Sequence, residues 1–132
     1  MSGHFLDTNV LLYAFGADEK AERAQSLLKD AAISVQCLNE FARVTRGKQS
    51  WSWPDVEDAL TAIVELSDRI VSIDVELHAA GIELAKRYKL SIFDALIVAA
   101  ALRAECEILY SEDMQHGLMV GDNLKIINPY RD

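Results

Sequence analysis

Cysteine is scarce in this chain: Cys37 and Cys106 are the only two, far apart, each in an otherwise apolar stretch. Neither belongs to a Cys-x-x-Cys or Cys/His ligand pattern, so a structural zinc site is not expected. Both read as buried thiols in a reducing cytosol. Long apolar runs are missing too. The longest, Ala95 to Leu102, has eight residues, against the roughly 20 a membrane-crossing helix needs. The start, Met1-Ser2-Gly3-His4-Phe5-Leu6-Asp7, has no basic segment and reaches a carboxylate before any long apolar stretch, so no secretion signal is expected. Repeats, low-complexity segments and linkers are also lacking. These absences point to a soluble, cytoplasmic protein with no membrane association.

Positive charge is in short supply as well. Thirteen Lys and Arg face 21 Asp and Glu, a net charge of −8. A nucleic-acid ligand usually leaves a basic footprint, and its absence argues against one. The objection weakens if the acids gather as a cation site, because a divalent ion inverts the local sign and can itself receive a phosphate. The distribution of the acids therefore decides the matter.

What the sequence does contain is one domain's worth of core. Its 132 residues are 51% hydrophobic, enough to fill a single compact domain spanning 1–132 without disulfides. Short apolar runs alternate with helical patterns. Strands are predicted at His4–Leu6, Ala32–Val35, Ile70–Ile73, Ile108–Tyr110 and Lys125–Ile127. Helices are predicted at Val10–Phe15, Ala21–Leu28, Leu38–Thr45, Asp55–Leu66, Val75–Tyr88 and Ile92–Ala104, with a loop over Gly47–Pro54. The alternation fits an α/β fold with a mainly parallel sheet covered by helices. The Ile92 helix is apolar on nearly every face through Leu102 and should be buried.

In an open α/β sheet, ligands bind beyond the carboxyl ends of the strands. Asp7 follows the first strand directly, and Asp113 comes three residues after Tyr110. Glu40 falls at the first turn of the helix after the second strand, and Asp94 in the first turn of the buried helix. Four carboxylates are thus expected at one edge of the sheet, with Asn9 and Ser111 beside them to orient a carboxylate or hold water. Hard oxygen ligands of this kind suit Mg²⁺ or Mn²⁺. Each acid also has an ordinary reading. Asp7-Thr8-Asn9 can be a turn that caps a helix, and Glu40 with Arg43 a solvated helix pair. Ser91 to Asp94 has the form of a capping box, and Ser111-Glu112-Asp113 that of a polar loop. The four together carry the case.

The segments Phe5-Leu6-Asp7-Thr8-Asn9-Val10-Leu11-Leu12-Tyr13-Ala14, Ser34-Val35-Gln36 with Glu40-Phe41, Phe93-Asp94-Ala95-Leu96-Ile97-Val98-Ala99-Ala100-Ala101, and Leu109-Tyr110-Ser111-Glu112-Asp113-Met114-Gln115-His116-Gly117 together resemble a PIN domain. More narrowly, they resemble the VapC-like toxins of bacterial and archaeal toxin–antitoxin pairs. The similarity runs to the closing Ile126-Ile127-Asn128-Pro129, and none of the four acidic positions departs from it. It implies a three-layer α/β/α domain with about five strands in the order 3-2-1-4-5. It further implies Mg²⁺- or Mn²⁺-dependent endonucleolytic cleavage of RNA (tRNA among the candidate substrates), a homodimer, and a small DNA-binding VapB-like antitoxin as partner.

On this reading Asp7 and Asp94 hold a divalent ion, which lowers the pKa of a bound water. Glu40 and Asp113 complete the site through a second ion or by orienting that water. Water as nucleophile leaves a 5′-phosphate and a 3′-hydroxyl. Arg43, Arg46 and Lys48 are candidate substrate contacts, with Trp51 and Trp53 beyond them to stack on unpaired bases or to fill the core or a dimer interface. Lys86, Arg87 and Lys89 serve the end of their helix. His4, His78 and His116 form no triad by spacing. A signalling domain of the receiver type would need a phospho-acceptor and a paired late lysine, a role that Asp74 and Lys125 fit poorly. An Asp-x-Asp phosphatase is countered by Asn9. The remaining alternative is a non-catalytic or signalling α/β domain with an acidic cation-binding pocket.

Overall fold

The computed structural model describes residues 3–131; the part of the N-terminal reading that concerns Met1 and Ser2 lies outside them. Strands β1 (His4–Leu6), β2 (Ala32–Ser34), β3 (Arg69–Val71), β4 (Ile108–Tyr110), β5 (Met119–Val120) and β6 (Leu124–Ile127) form one sheet in the order β3-β2-β1-β4-β6-β5. All neighbours run parallel except β5 and β6, which pair antiparallel with Val120 opposite Leu124. The helices are α1 (Thr8–Ala14), α2 (Ala21–Leu28), α3 (Val35–Arg43), α4 (Trp53–Leu66), α5 (Val75–Tyr88) and α6 (Ile92–Arg103), with a π-helical turn at Val44–Lys48 after α3. The expected α/β fold and the order of its five anticipated strands are observed. The sixth strand, β5, is a two-residue edge that folds back on β6.

Parallel strands need crossovers, and the crossovers here bury the sheet. Phe5, Ile33, Leu109 and Ile126, one from each of four strands, are fully enclosed. Helix α6 carries Ala95 through Ala101 inside without interruption. Its small residues admit a close neighbour: a Cβ on Gly81 of α5 would stand 2.9 Å from Leu96 Cδ2. A larger residue at position 81 would therefore force the Leu96 side chain to move. Among the described residues no helix is long and apolar enough to cross a membrane.

Three local departures from the expected elements bear on the site. Helix α1 begins at Thr8, because Asp7 caps it: its carboxylate accepts from Thr8 N at 2.7 Å. Helix α3 begins at Val35, three residues earlier than predicted. Ser34 Oγ accepts from Cys37 N there, a capping bond that outweighs the strand preference of Val35. Glu40 consequently stands in the second turn of α3 and not in its first. Finally, α3 leaves through the π turn, where Gln49 N donates to Val44 O at 3.0 Å. Thr45 is buried in this turn, and its hydroxyl donates to Phe41 O at 2.8 Å, adding to the bond that carbonyl accepts from Val44 N as the helix widens.

Candidate active site

Asp7 is the centre of the site. It follows β1, and its backbone N–H donates to Tyr110 O on β4, so its position is set by the sheet. The side chain is only 5% exposed. One carboxylate oxygen accepts from Thr8 N; the other accepts from Ser111 Oγ at 2.8 Å and from Asn9 Nδ2 at 3.4 Å. All three donors are neutral. Burial pushes the Asp7 pKa up to about 6, more than the bonds from Ser111 and Thr8 pull it down, and the nearby charges of Asp94 and Glu40 add to the rise.

Ser111 organises the opposite wall. It is fully buried after β4, donates to Asp7, and accepts from the backbone N–H of Asp113 (3.3 Å) and Met114 (3.2 Å). Asn9 spans the gap from α1: its amide nitrogen also donates to Asp113 Oδ2 at 3.2 Å, and its oxygen accepts from Glu112 N at 3.2 Å. Asn9 and Ser111, both expected beside the acids, thus touch them directly. Glu40 arrives from α3, where Thr8 Oγ1 donates to one oxygen at 2.8 Å and Gln36 Nε2 to the other at 2.9 Å. Among the described residues Glu40 has no ion pair with Arg43, so the helix-pair reading does not hold.

Asp94 shows half of the capping box. Ser91 Oγ accepts from Asp94 N at 3.1 Å, while the Asp94 carboxylate is partly buried and opens to the cleft. Its pKa is raised, first by burial and then by the charges of Asp113 and Glu40, against the Ser91 hydroxyl, which lowers it. Asp7, Glu40, Asp94 and Asp113, with Thr8, Asn9, Leu12, Arg43 and Val44, line a single cleft of about 190 Å³. A larger hollow of about 450 Å³ adjoins it, sharing Asn9, Leu12, Val44 and Asp113 and adding Lys48 and Gln49 from the π turn and its exit.

The structure separates the three candidate cations. Arg43 lines the acidic cleft and Lys48 the adjoining hollow. Arg46 is turned elsewhere: Nη1 donates to Trp51 O at 3.0 Å, and the guanidinium lies 4.8 Å from the Trp53 ring centre. Trp51 packs edge-on against Phe41 at the core, whereas Trp53 is 55% exposed. Other sequence features have structural tasks. Asp74 caps α5 and pairs with Arg103, His4 Nε2 lies 2.7 Å from Leu27 O, and His116 Nδ1 accepts from Asn128 N. Both cysteines are free and buried.

Residues 4–117 match the PIN domain family. The chain belongs to the PIN domain family. A search of curated protein sequences gives no match. Among solved structures, a toxin–antitoxin complex from Klebsiella pneumoniae is similar over 99% of this chain and 100% of its own, at 21% identity and a TM-score of 0.74. VapC20 of Mycobacterium tuberculosis, described as a toxin that cleaves the sarcin–ricin loop, covers 84% of this chain and 90% of its own, at 17% identity and a TM-score of 0.65. VapBC2 of Rickettsia felis, bound to a promoter DNA fragment, covers 83% and 87%, at 20% identity and a TM-score of 0.60. At these identities the likeness is one of fold.

The acids of this PIN domain suit a hard divalent ion in their chemistry. All four are oxygen donors, and Asp7 is a buried carboxylate with neutral partners only, facing two further carboxylates. Buried charges are paired or bind metals, and no side-chain cation pairs with Asp7 among the described residues. The side chains do not form a ready-made cage: among the described residues no three His, Cys, Asp or Glu converge on one point. The fit therefore rests on donor type and on the unneutralised charge of Asp7.

Proposed function

We propose that this PIN domain is a Mg²⁺- or Mn²⁺-dependent endoribonuclease, the toxin of a VapBC-like pair. The observation that carries the reading is Asp7: a buried carboxylate with no cation partner among the described residues, opening on the cleft that Glu40, Asp94 and Asp113 also line. Asp7 and Asp94 would hold the ion, with Glu40 and Asp113 completing the acidic site. Such an ion supplies Lewis acidity and a water of lowered pKa. The protein's own groups supply order. Ser111 and Asn9 fix the two oxygen-bearing walls, and Thr8 with Gln36 fixes both oxygens of Glu40. Arg43 at the cleft and Lys48 beside it are placed to meet phosphates of an RNA strand running from the cleft into the adjoining hollow. A small VapB-like antitoxin belongs to the same proposal, supported by the toxin–antitoxin assemblies among the structures of like fold; the homodimer expected from the sequence is proposed with it.

The test is cleavage of total RNA and of tRNA by the purified chain, freed of any bound partner. Cleavage is expected with Mg²⁺ or Mn²⁺ and none with EDTA, and sequencing of the new ends should find 5′-phosphates. Equal cutting in EDTA would overturn the metal-dependent reading. Binding of Mn²⁺ without any cutting would favour a cation-binding domain without nuclease activity.

The cations give a second prediction. Each phosphate contact to a single strand contributes about 0.7 to the slope of log affinity against log salt. Lys48→Ala should lower that slope by about this much and raise KM severalfold. Arg46→Ala, which removes a bond to Trp51 and a stack on Trp53, should leave the slope unchanged. Equal loss of slope in both variants would show that Arg46 also reaches the substrate.

A further inference from the structure

Glu112 lies between Ser111 and Asp113, yet its side chain takes no part in the acidic cleft. Tyr13 Oη donates to one of its oxygens at 2.6 Å, and Lys20 Nζ pairs with the other. Lys20 Nζ also lies 4.7 Å from the ring centre of Tyr13 and 5.1 Å from that of Tyr130, and the two rings meet edge-on at 5.4 Å. The ammonium is thus covered by two aromatic faces, which strengthens its hold on the carboxylate compared with a freely hydrated pair. The exposed pair of Lys86 with Glu83 on α5, by contrast, has both side chains about 70% exposed and should contribute little.

The backbone of Glu112 is held as well. Its N–H donates to Asn9 Oδ1, and Asn9 and Tyr13 stand one turn apart on the same face of α1. One helix face therefore grips residue 112 by main chain and side chain together. Asp7 caps that same helix. The loop carrying Ser111 and Asp113 is in this way registered against Asp7 through α1 at two points, with Lys20 from the segment before α2 as a third tie.

We propose that Glu112, clasped by Tyr13 and Lys20, is a positioning residue that sets the distance of Asp113 and Ser111 from Asp7, and through it the strength of divalent-ion binding. The inference rests on the metal-dependent nuclease reading of the cleft. The clasp is separable from simple electrostatics by sign. Lys20→Met removes a positive charge near an acidic site, so charge alone would make Mn²⁺ bind more tightly. Loss of position makes it bind more weakly. Tyr13→Phe changes no charge at all.

The experiment is Mn²⁺ titration calorimetry of the metal-free chain, with RNA cleavage kinetics and melting temperature measured in parallel. Removing groups that orient metal ligands typically weakens affinity by about tenfold or more. Tyr13→Phe and Lys20→Met should each weaken Mn²⁺ binding by roughly that lower figure and reduce kcat more than KM. Lys20→Arg should restore most of both, and Lys86→Met should match the parent. Should either principal variant fail to fold, Lys20→Gln, which also removes the positive charge beside Glu112, is expected to weaken Mn²⁺ binding where charge alone would tighten it. Variants that melt lower but bind Mn²⁺ and turn over as the parent does, or Lys20→Met binding Mn²⁺ more tightly, would overturn the proposal. A parent that neither binds Mn²⁺ nor cuts RNA would instead overturn the nuclease reading, and the clasp's role with it.

Discussion

Asp94→Asn should reduce RNA cleavage by about 10²–10³-fold, the range seen when one preorganised polar group is removed from a reacting centre, while leaving the metal-free protein no less stable. The two halves of this expectation separate site from scaffold. The bond that starts α6 is made by the backbone: Asp94 N donates to Ser91 Oγ, and Asn keeps that donor. The carboxylate itself is partly buried, and burial together with the charges of Asp113 and Glu40 disfavours its ionised form. Removing its charge relieves repulsion and desolvation together. The metal-free variant should therefore melt at or above the parent. It should also lose most of the stabilisation that Mg²⁺ or Mn²⁺ gives the parent, because a ligand stabilises only the state that binds it. A clearly lower melting temperature with cleavage near the parent's would reduce Asp94 to a helix cap and break the proposed site.

Asp7, Asp94 and Asp113 were legible in the sequence because each sits next to an element whose pattern is strong, whereas Glu40 lies on a helix whose predicted start is misplaced. Phe5-Leu6 and Ile108-Leu109-Tyr110 read as buried strands, and residues just past the end of a parallel strand face the ligand edge. Ala95 to Leu102 has no polar face, so Asp94 before it had to mark where a buried helix surfaces. The parts that escaped are those decided by contacts between distant residues or by single capping bonds. Val35 looks like the end of a strand until Ser34 is seen to cap Cys37 N. Strand β5 has two residues, too few for any alternation to register. The π turn has no sequence period of its own, yet it divides Lys48 from Arg46 and sends them to different surroundings. Glu112 reads as one more polar loop residue, since its partners Tyr13 and Lys20 lie about a hundred positions earlier. Spacing carries no trace of that pairing.

Asp7 should make the metal-free protein less stable at pH 7 than at pH 4, by an amount readable against Asp7→Asn. The carboxyl titrates near 3.8 when free of the fold and near 6 within it. Below pH 3.8 both states carry the proton and Asp7 contributes nothing to the pH dependence. Between 3.8 and 6 the native state keeps a proton that the unfolded chain has lost, so stability falls as pH rises. Above pH 6 the loss is complete, at about 3 kcal/mol for a shift of this size. Paired acids such as Glu112 and Asp74, whose pKa values are lowered, slope the other way: their stabilisation is lost as pH falls through their folded values. The comparison that isolates Asp7 is therefore parent against Asp7→Asn, both in EDTA, by urea unfolding across pH 3.5–7.5. Asn cannot accept from both Thr8 N and Ser111 Oγ as the carboxylate does, which shifts the variant by a constant, so the slope of the difference is the quantity to read. The variant should gain on the parent steadily from about pH 4 to pH 6 and then run parallel. Mn²⁺ should reverse the order at pH 7 by stabilising the parent alone, and its affinity for the parent should rise with pH through the same window as Asp7 gives up its proton. A difference that stays flat from pH 4 to pH 7 would mean that Asp7 titrates in the fold as it does unfolded, its charge compensated there, and the uncompensated carboxylate on which the metal reading rests would be lost.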